Sequence, residues 1–165
     1  MNKKPFFQED FDALMSKIAA LKKLKNETGI EMGDACGLGC DWHDNAGFDM
    51  AQSSFELQSQ QIASLEDFLI GAYIAEPVRS GELVGFGSKI DLMDLDDEGE
   101  SKWYVIGSAW LRPTDHQPTG EFEDDPIILS FYSPLSQALI GKQAGQTVPI
   151  NISGSLKEHM IVEIF

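Results

Sequence analysis

Asp41, Asp44 and Asp49 fall within one short stretch, Asp41-Trp42-His43-Asp44-Asn45-Ala46-Gly47-Phe48-Asp49, and Asp34 lies shortly upstream. Carboxylates this close do one of two things. They cap and polarise the start of a helix, where Asp and Asn are favoured and negative charge meets the positive end of the helix dipole. Alternatively, they are displayed for use at another molecule's site. Cys36, Cys40 and His43 add a second chemistry at spacings of four and three, which would put them on one helical face. A structural zinc site normally takes four ligands, so Asp34 or Asp41 would have to complete it; free cysteines are the plainer reading.

What positions this stretch is read from periodicity. Upstream, Phe11, Leu14, Ile18 and Leu21 alternate in steps of three and four. Downstream, Phe48, Ala51, Phe55, Gln58, Ile62, Leu65, Leu69 and Ala72 do the same. Such spacing is the seam of a coiled coil. Two seams joined by a short polar segment are most simply an antiparallel hairpin with the carboxylates at its turn. A helix from Ala46 to Tyr73 would be roughly 42 Å long. The first arm is the softer one, because Gly29, Gly33, Gly37 and Gly39 interrupt it and each interior glycine costs about 1 kcal/mol relative to alanine. Its seam continues weakly through Lys25, Thr28, Met32, Ala35, Gly39 and Trp42. The sequence predicts a continued but frayed helix, with a stop near Asn26 as the alternative.

Beyond Glu76-Pro77 the period changes from helical to alternating. Val84–Leu95, Lys102–Trp110, Ile127–Tyr132, Thr147–Ile152 and His159–Phe165 read as strands, rich in β-branched and aromatic residues. Asp96-Asp97-Glu98-Gly99-Glu100 and Arg112–Asp125 read as turn and loop. Ser133-Pro134 opens a short helix, with serine as cap and proline at the first helical position, and Gly141 stops it. The expected fold class is α+β: a hairpin over residues 1–77 and a mostly antiparallel sheet domain with one short helix over 78–165.

The chain has 12 basic and 27 acidic residues, a formal net charge of −15. Both halves are acidic, so neither offers a phosphate-binding surface by bulk charge. Lys17, Lys22, Lys23 and Lys25 form the main basic run, read as a solvated face or as a local nucleic-acid contact. No secretory or membrane-spanning stretch is evident. With two cysteines and no targeting signal, a cytoplasmic monomer is expected.

Two separate motifs carry a family resemblance. Asp41–Phe48, followed by Ala51 and by Gln61-Ile62-Ala63-Ser64-Leu65-Glu66, resembles the tip and second helix of the bacterial transcript cleavage factors GreA and GreB. Tyr132-Ser133-Pro134-Leu135-Ser136-Gln137-Ala138-Leu139-Ile140-Gly141-Lys142 resembles that family's Ser-Pro-x-x-x-Ala-Leu-x-Gly-Lys element, and Phe86–Leu92 resembles its first strand of the C-terminal half. The resemblance implies an N-terminal antiparallel coiled coil and a C-terminal domain of the FKBP-like fold. It also implies a partner, RNA polymerase, docked by the C-terminal domain with Ser133 and Pro134 as contact candidates. The coiled coil would enter the secondary channel. There Asp41 and Asp44 would help hold a Mg²⁺ shared with the polymerase, which cleaves the RNA 3′ end. No independent active site is implied.

The chain departs from the family at telling places. Asp44 stands where glutamate is usual, shortening the reach by roughly 1.3 Å. Cys40, Trp42 and Gly47 replace the family's glycine, leucine and acidic residue. A weaker tip suits a second function, a secondary-channel regulator that does not cleave. The FKBP-like fold alone suggests a third, peptide isomerisation or binding, with no motif behind it.

Overall fold

The computed structural model describes residues 3–36, 46–79, 81–95, 101–111, 126–152 and 154–165. The chain divides into two compact units, Asp12–Ala72 and Met1–Phe11 together with Tyr73–Phe165.

The first unit is a pair of helices, α1 (Gln8–Cys36) and α2 (Ala46–Leu69). They run antiparallel: Lys22 pairs with Glu66, Thr28 with Gln58, and Gly29 lies against Phe55. Helix α1 continues unbroken through Gly29 and Gly33 to Cys36, resolving the softer arm in favour of continuity. Burial explains why. Phe11, Leu14, Ile18, Leu21, Lys25, Thr28, Met32 and Ala35 are all shielded, and most of their neighbours are exposed. The weak half of the seam therefore keeps the phase of the strong half, and packing overrides two unfavourable glycines. On α2 the seam residues Phe48, Ala51, Phe55, Gln58, Ile62, Leu65 and Leu69 are all shielded, with Ser59 and Phe68 beside them.

Helix α2 ends earlier than expected. The sequence placed its end at Tyr73, but Gly71 takes a left-handed φ of 85° and the Ile70 N–H turns back to Asp67 O at 3.1 Å. Glycine just past the last turn is the ordinary helix stop. The chain then enters β2 (Ala72–Ile74), which pairs with β1 (Lys4–Phe6) in a small sheet. Neither strand is legible from the period-2 pattern, because each has three residues.

The second unit is built on β3 (Lys89–Asp94), β4 (Ser101–Ile106), β5 (Ile127–Leu129), β6 (Thr147–Ile152) and β7 (Ser155–Ile164), with α3 (Pro134–Leu139) against β6. The strand order is β5-β4-β3-β7-β6, antiparallel throughout except for the parallel β4–β5 pair. Ile90 and Leu92 of β3 are buried and alternate with less buried Lys89 and Asp91. They meet Ile106, Leu139, Val148, Ile150, Ile161 and Ile164 in the core. Pro149 has no N–H to donate to a ladder and sits on edge strand β6. Strand β4 stops at Ile106 rather than Trp110, since Gly107 turns its N–H to Leu129 O at 2.7 Å and Ala109 gives its own to Pro5 O at 2.9 Å. Gly87 takes φ +82°, and a Cβ there would lie 2.3 Å from Pro77 Cβ, so only glycine fits.

The first residues of the chain belong to this second unit, although the sequence assigned all of 1–77 to the hairpin. Ser108, fully buried, accepts the Phe7 N–H at 2.9 Å and donates to the Asp10 carboxylate at 2.6 Å. Phe7 stacks on Phe86 with ring centres 4.4 Å apart. The unit boundary therefore falls inside α1, between Phe11 and Asp12. The Asp96–Glu100 turn and the Arg112–Asp125 loop lie outside the described residues. Among the described residues no helix is long and apolar enough to cross a membrane.

Two substitutions test this account. A Cβ on Gly33 meets nothing within 4 Å, so Gly33→Ala is expected to raise hairpin stability by up to about 1 kcal/mol, read as slower amide exchange in α1. Ser108→Ala removes a hydrogen bond from the buried Asp10 carboxylate and the acceptor of the Phe7 N–H, and is expected to cost about 1–3 kcal/mol, read from the urea midpoint of the sheet unit.

Candidate functional site

The two candidate carboxylates, Asp41 and Asp44, lie outside the described residues, as do Cys40 and His43. The described structure brackets them closely. Helix α1 ends at Cys36, five residues before Asp41, and α2 begins at Ala46, two residues after Asp44. The connection that carries them is therefore held at both ends by helices whose seams are in phase. Asp49 sits in the first turn of α2 and is exposed, as is Asp34 on α1. Both positions suit solvated charge, and Asp49 also meets the positive end of the α2 dipole. Cys36 is exposed and not part of a disulfide. Among the described residues no three metal-binding side chains converge, and the Cys36, Cys40 and His43 set falls partly outside them.

What holds the two arms together near this end is more polar than a coiled coil needs. The Lys25 ammonium sits 4.7 Å from the centre of the Phe55 ring, a cation–π contact of about 0.5–1 kcal/mol at an exposed site. Lys22 and Glu66 pair at 2.6 Å, but both are about half exposed, so their pairing is worth little. Inside the seam, Gln58 Nε2 donates to Thr28 Oγ1 at 3.2 Å, and Thr28 donates in turn to Leu24 O at 3.0 Å. Gln58 Oε1 is buried and has no partner, a cost of about 1–3 kcal/mol. The sequence marked Gln58 as a seam residue without naming a partner; a glutamine among apolar seam positions was the available signal. Lys22, Lys23 and Lys25 of the basic run each have a partner within the hairpin.

The second candidate site is the start of α3. Ser133 is the N-cap, with φ −62° and ψ 147°, and its Oγ accepts the Ser136 N–H at 3.1 Å. Pro134 occupies the first helical turn, where its missing N–H costs nothing. Ser133 Oγ also lies 2.9 Å from Ser136 Oγ, which donates to Ser130 O at 2.7 Å. Ser136 is fully buried, so this small network ties the helix start to the core. Pro134, Tyr132 and Gln137 face solvent around it. Gln137 Nε2 donates to Phe131 O at 2.7 Å, and the Tyr132 hydroxyl to Lys3 O at 2.9 Å. Exposed side chains are thus set on a backbone that has no slack.

A further polar group lies at the β3–β7 margin and was not anticipated from sequence. Lys157 donates to Asp94 at 2.7 Å, with the His159 ring 3.9 Å from the same oxygen. Burial, and then the Asp94 charge, push the Tyr104 phenol above its ordinary pKa. These residues sit on three different strands, so only the fold assembles them.

Ser133→Ala removes a cap and a partner of buried Ser136. It is expected to destabilise the sheet unit by about 1 kcal/mol, whereas Pro134→Ala, fully on the surface side, is expected to cost less; chemical denaturation of the two variants checks the order.

Comparison with known proteins assigns the chain to a family. The family model described as "Transcription elongation factor, GreA/GreB, C-term" matches residues 79–165. The chain is similar to transcription elongation factor GreA of Nautilia profundicola, with 30% identity over 99% of this chain and 95% of that protein. It is also similar to transcription elongation factor GreA of Aliarcobacter butzleri, with 29% identity over 100% and 96%. Among solved structures it matches GreA factor homolog 1 of Thermus thermophilus at 24% identity, covering 99% of both chains with a TM-score of 0.42. The tip and Ser-Pro resemblances noted in the sequence thus sit in a chain that, by identity along its whole length and by its C-terminal half, belongs to the GreA/GreB family of transcription elongation factors.

Proposed function

We propose that the protein binds RNA polymerase, presents its helical hairpin through the secondary channel, and stimulates Mg²⁺-dependent cleavage of the RNA 3′ end in backtracked complexes. The observation that carries this reading is the unbroken, in-phase hairpin, continuous to within five residues of Asp41 and two of Asp44. A stop at Asn26 would have left the carboxylates on a long loose loop. Family membership and the relatives' description as elongation factors support the same reading.

The donor chemistry fits the role. Mg²⁺ takes oxygen ligands and is usually held by one or two protein carboxylates, with water and phosphate filling the other positions. Asp41 and Asp44 supply that number and no more. The hydrolytic site is the polymerase's own, so the factor acts as a donor of ligands and not as a separate enzyme. A second ion can stabilise the attacking and leaving oxygens of a phosphodiester exchange, which is the chemistry such ligands would support. The exposed Pro134 and the capped Ser133 are the proposed polymerase contact on the sheet unit, and the active form is a monomer in the cytoplasm.

Labelled RNA in a stalled, backtracked complex tests the proposal. Adding the protein with Mg²⁺ is expected to release short 3′ fragments. Asp41→Ala and Asp44→Ala are each expected to lower the rate by about 10-fold or more, the scale of damage at metal sites. Asp44→Glu, which lengthens the reach, is expected to preserve or raise it. Intact RNA despite clear polymerase binding would overturn cleavage and leave a non-cleaving channel regulator.

A further inference from the structure

We infer that Thr28 and Gln58 are positioning residues: their buried hydrogen bond fixes the register of the two hairpin arms. The inference deepens the proposed cleavage role and rests on it for its functional consequence, though not for its structural part.

Gln58 is only 9% exposed and Thr28 5%. The amide nitrogen has one acceptor, the Thr28 hydroxyl, and the amide oxygen has no partner. A leucine at this seam position would bury more apolar surface and leave nothing unsatisfied. As a stabilising contact the pair is a poor choice. As a register pin it is apt, because a single buried polar position in a coiled coil specifies alignment at a cost in stability.

The alternatives it excludes can be named. Displaced by one seam step, Gln58 would face Met32, whose side chain has no oxygen, or Lys25, whose side chain has only donors. Nε2 loses its acceptor in both cases while remaining buried. The apolar seam residues do not discriminate in this way, since Leu14, Ile18, Leu21, Phe55, Ile62 and Leu65 would all find some apolar neighbour after a slip. A one-turn slip moves one arm about 5 Å along the other. Asp41 follows one arm and Asp44 precedes the other, so a slip changes their relative placement. Metal ligands must be placed to a few tenths of an ångström. A slip of this size would therefore separate two carboxylates that have to act together.

The test uses the full chain with Cys36→Ser and Cys40→Ser, spin-labelled through Ala20→Cys and Ala63→Cys, both exposed positions. Pulsed electron–electron distance measurement is made on this protein, on Thr28→Ser, which keeps the hydroxyl, and on Thr28→Val/Gln58→Leu, which makes the pair apolar. The first two are expected to give one narrow distance. The double variant is expected to give an additional population, with an unchanged or higher urea midpoint and at least a threefold loss of fragment release at unchanged polymerase binding. Stability rising while cleavage falls is a signature that an ordinary structural contact would not produce. A single unshifted distance in the double variant overturns the pin, as does a lower midpoint with that distance unchanged. A split distance with full cleavage overturns the positioning role. If the parent protein cleaves nothing, the proposed function fails, and the distance measurement still decides the register.

Discussion

The interaction on which the rest depends is the packing of α1 against α2 along a seam that is apolar toward both ends and polar at its middle. Short isolated helices are marginal in water and gain their stability mainly from packing. Helix α1 contains two glycines, and its distal seam is Lys25, Thr28, Met32 and Ala35. It nonetheless persists to Cys36 because each of those residues lands on the side facing α2. Lys25 contributes its stem and a cation–π contact and Thr28 its hydroxyl, while the Phe55 ring lies against Gly29, 3.5 Å from where a Cβ would stand, an ordinary contact distance. Lose that phase and there is no platform for Asp41 and Asp44.

The sheet unit solves a different problem with different means. Its core is aliphatic and its strands are ordered by pairing, while the site it offers is a helix start whose backbone is fixed by Ser133, Ser136 and Ser130. The N-terminal residues are bound into this unit by a buried carboxylate–serine hydrogen bond. A chain that leaves the unit at Phe11 is already helical when it does so. The division of labour is thus physical: a hydrogen-bonded backbone for the proposed docking contact, and a seam of limited strength for the arm that leads to the proposed ligands.

Much of this was legible in the sequence, for reasons that differ by element. The α2 seam was readable because its period is sustained over several turns, and Ser133-Pro134 because cap and proline chemistry is local. The Thr147–Ile152 strand was placed to the residue, since its β-branched run ends at the turn that contains Gly154. The end of α2 was missed because Gly71 was passed over as a stop. The strands Lys4–Phe6 and Ala72–Ile74 were missed because three residues carry no period. Asp10–Ser108 and Asp94–Lys157 were beyond reach, because their partners are 98 and 63 residues apart and only the folded chain brings them together. For the tip, residue types and order carried the reading, through family resemblance more than through geometry.

The ligand role of Asp41 and Asp44 is addressed most directly by the Mg²⁺ dependence of RNA cleavage in backtracked polymerase complexes. If the two carboxylates help hold the ion, saturating protein shifts half-maximal cleavage to lower Mg²⁺ concentration, and Asp41→Asn/Asp44→Asn abolishes the shift while still binding polymerase. An identical Mg²⁺ dependence with the parent protein and with the double variant would contradict the account.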